Sequence, residues 1–230
     1  LGFSELTLLD ALSLMTRGDK SARPEIENAY NVTADIGALA RRDKKSGLGS
    51  LKHLEATPGI PIRPALAERL RTPEEAVEKA GPDVGIEQKL DGFRTQIHLI
   101  KKGGRKEVIL FSRNLENTTA MFPEIVASAR RISARDAILG GETIGYTPES
   151  GTFALFQETV QRKRKYYIEE FSKKIPLSIF VFDILYLNGQ SLLERPFRER
   201  RAILEKLMSK ADKKSALKLT AHKVTRNPAE

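Results

Sequence analysis

The chain has 230 residues, 40% of them hydrophobic, enough to bury a core and to exclude global disorder. Lysine and arginine number 39 against 30 acidic residues, and the net charge of +9 favours a polyanionic partner without identifying one. Cysteine is absent, which excludes disulfides, thiolate zinc sites and cysteine nucleophiles and is compatible with an intracellular protein.

No signal peptide opens the chain, and the longest apolar run, Ile175 to Leu187, is too short and too interrupted to cross a bilayer. Leu1 stands where an initiating methionine would, and Glu230 follows an unfinished strand-like stretch, so the expectation is a fragment.

Apolar residues recur at helical spacing from Phe3 to Met15, through Leu6, Leu9 and Leu12 or Ala11, and Gly18 supplies a stop. A second helix is predicted to start near Pro24, where proline suits a first turn. A third is predicted from Thr33, capping the amides of Asp35 and Ile36, through Leu39 and Ala40 to Arg42. This stretch is too short for a stable domain alone, and further helices are expected upstream. Asp43 to Pro64, rich in Lys, Gly, Ser and Pro, reads as a linker entering the extended segment Pro58-Gly-Ile-Pro-Ile-Arg-Pro64. Thr72-Pro-Glu-Glu75 is a capping box with proline at the first helical position, and Gly81 closes that helix.

The texture then changes to strands. Val84 to Lys89, Phe93 to Lys101 and Glu107 to Ser112 are β-branched or alternating, are separated by Asp91-Gly92 and Gly103-Gly104, and predict an antiparallel sheet. A helix follows around Thr119 to Arg131, then strands near Ala137 to Tyr146 and Thr152 to Thr159. Leu177 to Leu187 reads as a strand buried on both faces and ending at the turn Asn188-Gly189. Arg195 to Met208 is a basic amphipathic helix with Phe197, Ile203, Leu204 and Leu207 on one side. There is no internal repeat.

Several familiar motifs are absent. Gly47-Leu-Gly49 lacks the third glycine of a dinucleotide fingerprint, and Gly18-Asp-Lys-Ser21 lacks the Gly-Lys pair of a P-loop. His53, His98 and His222 have no metal-ligand spacing. The informative segment is Glu87-Gln-Lys-Leu-Asp-Gly-Phe-Arg94. A lysine at a strand end, followed by a turn, can present its amine to a sheet-lined pocket, and Gly92 permits tight geometry and close approach by a ligand. With a reference pKa of roughly 10.4, the Lys89 amine attacks only if desolvated or flanked by cations, and Arg94 and a bound metal could supply the latter. The plain alternative is a strand-turn-strand hairpin with exposed charges.

Lys89-x-Asp-Gly-x-Arg94 resembles the first signature of the covalent nucleotidyltransferases, which comprise DNA ligases, RNA ligases and mRNA capping enzymes. Phe111-Ser-Arg-Asn114 with Glu116 and Thr118, Leu139-Gly-Gly-Glu-Thr143, and Phe180-Val-Phe-Asp-Ile-Leu-Tyr-Leu-Asn-Gly189 are similar to the segments that follow it in that family, in the same order. Ala29-Tyr-Asn-Val-Thr-Ala-Asp-Ile-Gly37 resembles the end of the helical DNA-binding domain of archaeal and eukaryotic ATP-dependent DNA ligases. Pro58 to Ala67 resembles the entry to their adenylation domain. Arg162-Lys-Arg-Lys165 and Arg195-Pro-Phe-Arg198 fit the same picture.

The resemblance implies an α+β fold: an antiparallel-sheet nucleotidyltransferase domain over residues 56–230, preceded at 1–55 by the last helices of a DNA-binding domain and a linker. It implies Lys89 as the nucleophile that takes AMP from ATP, Glu87 as reader of the adenine amino group and Phe182 as the ring stacked on the base. Arg94, Arg113 and Glu142 would hold ribose and phosphate, Glu142 also lying near Mg2+, with Asp91 and Gly92 shaping the turn. Arg162 and Arg164 are expected on the phosphates of nicked double-stranded DNA. The family's later segments, a Glu-Gly stretch, a strand with paired lysines and an OB-type domain, do not appear before Glu230, so weak nucleotide binding and poor self-adenylation are expected. A monomer is expected, in the cytoplasm or nucleoid of a prokaryote or the nucleus of a eukaryote, with a sliding clamp reached only through regions outside the chain. The rival readings are an RNA ligase or capping enzyme using the same lysine, and a non-catalytic DNA clamp with a dead pocket.

Overall fold

The computed structural model describes residues 4–52, 54–81, 83–147, 150–210, 212 and 215–230. His53 lies outside the described residues.

Three helices open the chain: α1 (Glu5–Arg17), α2 (Arg23–Thr33) and α3 (Ile36–Ser46). Ser4 caps α1 by accepting from Thr7 N at 3.2 Å, and Gly18 ends it in the left-handed region, its N–H donating to the Leu14 carbonyl. The helices close on Leu9, Leu12, Ile26, Ala29, Tyr30 and Leu39, together with Leu48 and Leu51 of a following 3-10 turn. Two expectations fail here. Thr33 is the last residue of α2, and Asp35 is the cap of α3, accepting from Ala38 N at 2.8 Å. A carboxylate competes better for an unsatisfied amide than a hydroxyl that already lies near the Ala29 carbonyl. Asp43 does not begin a linker: it is buried in α3 and accepts from Thr16 Oγ1 at 2.5 Å.

The true connection, residues 54–72, holds no helix or strand, turns at Thr57 to Gly59, and is pinned to the rest of the fold. The Gln96 side-chain amide pairs with both backbone groups of Ile62, accepting from its N at 3.1 Å and donating to its O at 2.5 Å. Gly59 N donates to His98 Nδ1 at 3.0 Å, and Arg63 N donates to the Asn31 carbonyl of α2 at 2.9 Å.

A short helix α4 (Pro73–Ala80), capped by Thr72, leads to β1 (Val84–Glu87). Then come β2 (Phe93–Lys102), β3 (Arg105–Ser112), α5 (Pro123–Arg130), β4 (Ala137–Gly145), α6 (Phe156–Val160), α7 (Ile168–Lys174), β5 (Leu177–Leu187), β6 (Gln190–Ser191), α8 (Phe197–Met208), β7 (Leu217–Leu219) and β8 (His222–Thr225). Among the described residues a six-stranded sheet runs β3-β2-β4-β5-β6, with β7 parallel to β5 on the same side as β6, and every other pairing antiparallel. The mixed, mainly antiparallel α+β class is therefore as expected. Its core joins Ile97, Leu99 and Leu110 of the sheet to Phe122, Ile125 and Ala129 around α5, and to Leu204 and Met208 of α8.

Three strand expectations change. β1 does not join the sheet of β2 and β3; it pairs with β8 in a separate two-stranded sheet, so Asp91-Gly92 is a passage between sheets and not a hairpin turn. Thr152 to Thr159 makes one bridge, Phe153 with Tyr146, and then turns into α6. β5 is buried through Leu177, Ser178 and Ile179 but only half buried from Phe182 onward apart from Ile184, and Leu185 and Tyr186 pack there against Ala56, Ile62 and Ile138.

Candidate active site

β2 and β4 run side by side in a register that sets Arg94 directly opposite Glu142, and the next ladder sets Glu142 opposite Phe180 of β5. Two glycines make this possible. A Cβ on Gly140 would lie 3.1 Å from Arg94 Nη2 and 3.7 Å from the Phe182 ring, and one on Gly141 would lie 2.8 Å from the Phe180 carbonyl. Without those side chains the Arg94 guanidinium lies over the Phe182 ring, 4.4 Å from its centroid.

Arg94 is largely buried, and its Nε has no hydrogen-bond partner. Burial pulls its pKa below the usual guanidinium range, Glu142 and Asp183 oppose that fall, and Arg113 adds to it. An unpaired buried donor costs free energy unless a ligand meets it. Glu142 is pushed up by burial, and Arg94, Lys89, the Gly92 N–H and Arg113 pull it back. Lys89 thus stands close enough to Glu142 to act on it, although its own side chain is exposed in the passage between β1 and β2. Asp91 is exposed beside it, and Arg113 is exposed just past the end of β3.

Gly92 is required for a reason other than ligand approach. A Cβ there would lie 2.2 Å from the Thr143 carbonyl, so it is strand β4 that comes close. Glu87, at the end of β1, gives Oε1 to Arg201 Nη1 at 2.9 Å; burial pushes its carboxyl up, Arg201 pulls it down and Asp183 adds to the rise.

Lys89, Arg94 and Arg113 thus all act on Glu142, Phe182 lies under Arg94, and Glu87 is linked to the group through the charge of Asp183. Residues 64–230 match the family model described as the ATP dependent DNA ligase domain. The chain belongs to that family. A probable DNA ligase of Dictyoglomus turgidum is 46% identical over 231 residues, covering 100% of this chain and 38% of that protein. DNA ligase 2 of Thermofilum pendens is 42% identical over 212 residues, covering 92% of this chain and 35% of its own. The chain thus spans little more than a third of the relatives it matches. Among solved structures, the ligase domain of M. tuberculosis LigD covers 61% of this chain and 40% of its own, at 24% identity and a TM-score of 0.45.

Membership in the ligase family does not rescue every residue singled out by sequence. Arg162 is 1% exposed and its guanidinium is paired with Glu124 on α5, so in this conformation it cannot reach a DNA phosphate. Adjacent cations on an irregular segment point different ways, and this one points into the core. Arg164 lies against the Phe171 ring, 3.3 Å from its centroid, with Nε donating to the Gln161 carbonyl at 2.7 Å, and Lys163 Nζ lies 4.6 Å from the Phe93 centroid. Sequence reading missed Asp183, Arg200 and Arg201. Asp183 is held by Arg200 through two contacts, Nε to Oδ1 at 2.8 Å and Nη2 to Oδ2 at 3.1 Å. The available signal was an aspartate within an otherwise apolar strand, which demands a buried partner.

Among the described residues no three His, Asp or Glu side chains converge as a metal cage, and no helix is long and apolar enough to cross a membrane.

Proposed function

We propose that this chain is the catalytic portion of an ATP-dependent DNA ligase that carries AMP on Lys89. The observation that carries the reading is the Arg94–Glu142–Phe182 arrangement beside Lys89, a half-buried group of charges with an unpaired donor, in a chain of the ligase family.

The residues fit a nucleotide triphosphate. Phe182 offers a ring face for the base, Glu87 an acceptor for the adenine amino group, and Arg94 and Arg113 donors for ribose and phosphate. Glu142 is a single carboxylate, and a Mg2+ ion there would complete its shell with phosphate oxygens and water, the usual habit of that ion. When bound, the ion would spread phosphate charge. The Lys89 amine loses a proton and attacks the α-phosphorus, the bond to pyrophosphate breaks, and AMP is held on the lysine. Two further transfers follow: AMP passes to the 5′-phosphate at a nick, and the 3′-hydroxyl displaces it. Asp91 helps to orient Lys89, and Arg164 and its lysine neighbours face the phosphates of nicked duplex DNA. The whole protein acts inside the cell as a monomer.

The test is the intact mass of the full-length protein after incubation with ATP and Mg2+, and again after pyrophosphate. One adenylyl group should be gained and then lost, and Lys89→Ala should gain none. Salt-sensitive DNA binding with no adenylyl gain would support the non-catalytic clamp instead.

A further inference from the structure

Arg201 is the one arginine of α8 buried to 4% exposure, and all three of its nitrogens are engaged. Nε donates to Glu205 Oε1 at 2.8 Å, Nη2 to the Thr220 carbonyl at 2.7 Å, and Nη1 to Glu87 Oε1 at 2.9 Å. A planar guanidinium fixed at two points cannot follow a moving third partner, so Glu87 is held where Arg201 puts it. The other carboxylate oxygen, Oε2, takes no hydrogen bond from the described residues.

The surroundings of Glu87 decide what that oxygen can do. Burial favours its protonated form, and Asp183 of β5 pushes the same way, although Arg200 neutralises much of the Asp183 charge. His222, its cross-strand partner on β8, is held below the ordinary imidazole range by burial and by Arg201. Arg201 of α8 is the charge that favours ionised Glu87. A carboxylate without a proton accepts from an amino group and repels a carbonyl oxygen; a carboxylic acid can donate to that carbonyl.

We propose that Arg201 is the specificity-determining positioning residue of the nucleotide pocket: by gripping Glu87 Oε1 it holds that side chain as a proton-free acceptor, so the pocket takes a purine presenting an amino group and refuses one presenting a carbonyl at the same place. The proposal rests on the nucleotide pocket of the preceding section. It assigns base selection to a contact made on α8, beyond the residues that would touch the base.

The experiment is equilibrium binding of ATP and of GTP to the full-length protein, for wild type, Arg201→Met, Arg201→Lys and Glu87→Gln, with unfolding curves to confirm that each is folded. Wild type should prefer ATP, Arg201→Met should lower the ATP-to-GTP ratio by about tenfold or more, and Glu87→Gln, which supplies a donor, should do the same. Arg201→Lys, which keeps the charge but not the fork, should fall between and serves if the methionine variant does not fold. A loss of both nucleotides in equal measure, with the ratio unchanged, would reduce Arg201 to a structural role and overturn the proposal. Wild-type protein that binds neither nucleotide would overturn the pocket itself, a separable result.

Discussion

Arg162 and Glu124 form a buried ion pair that ties the segment before α7 to the first turn of α5. Arg162 Nε and Glu124 Oε2 are both buried without further partners, and burial pushes the Glu124 carboxyl up against the pull of Arg162. Removing one member strands the other, so Arg162→Met should cost about 3 kcal/mol, the lower end for a buried pair because Glu124 retains some contact with water. Urea unfolding measures this. Wild-type stability in that variant would mean that the segment is held by other contacts.

The proposed phosphate contact, by contrast, is assigned to Arg164 and its exposed lysine neighbours. Arg164→Ala should lower the slope of log affinity against log salt by roughly 0.9 for nicked duplex while Arg162→Met leaves it unchanged. Slopes that move the other way round would place Arg162 on the DNA after all.

Lys89 is exposed, so replacing it should spare the fold. Lys89→Ala should abolish adenylyl transfer in the full-length protein while its unfolding free energy stays within about 0.5 kcal/mol of wild type. Adenylation that survives the change would remove Lys89 from the reaction.

Gly92 admits no side chain, since the Thr143 carbonyl would be 2.2 Å from a Cβ. Gly92→Ala should therefore force β2 from β4 and cost on the order of 1 to 3 kcal/mol, with lost adenylation because the passage carrying Lys89 must move with it. A variant with both properties unchanged would show that the ladder yields cheaply there.

His98 is buried against Phe111 and accepts from Gly59 through Nδ1, and burial lowers its pKa to about 3. The folded value lies below the unfolded value of about 6.5, so the unfolded state binds the proton first and stability falls as pH drops from 6.5 toward 3. Between pH 6.5 and 5 this one group should remove about 2 kcal/mol, and His98→Asn should flatten that limb of the stability profile. An unaltered limb would locate the acid sensitivity in the carboxylates.

The sequence alone determined the elements whose signals are local: α1 with its Gly18 stop, the Thr72 cap of α4, the Gly103-Gly104 hairpin and the Asn188-Gly189 turn all depend on residues a few positions apart. The ordered motifs around Lys89, Arg94, Glu142 and Phe182 stood out by their resemblance to the covalent nucleotidyltransferases, which is what placed the chain in the ligase family before its fold was known. Tertiary structure decided what depends on partners distant in sequence. β1 left the sheet because β8 offered it a ladder, Arg162 turned inward because Glu124 was waiting, and Gly92 answered to a carbonyl of β4. Arg201 reaches Glu87 across 114 positions, and only packing α8 against the sheet brings the two side chains together, since a hydrogen bond is formed by atoms within about 3 Å and carries no mark in the chain that precedes it.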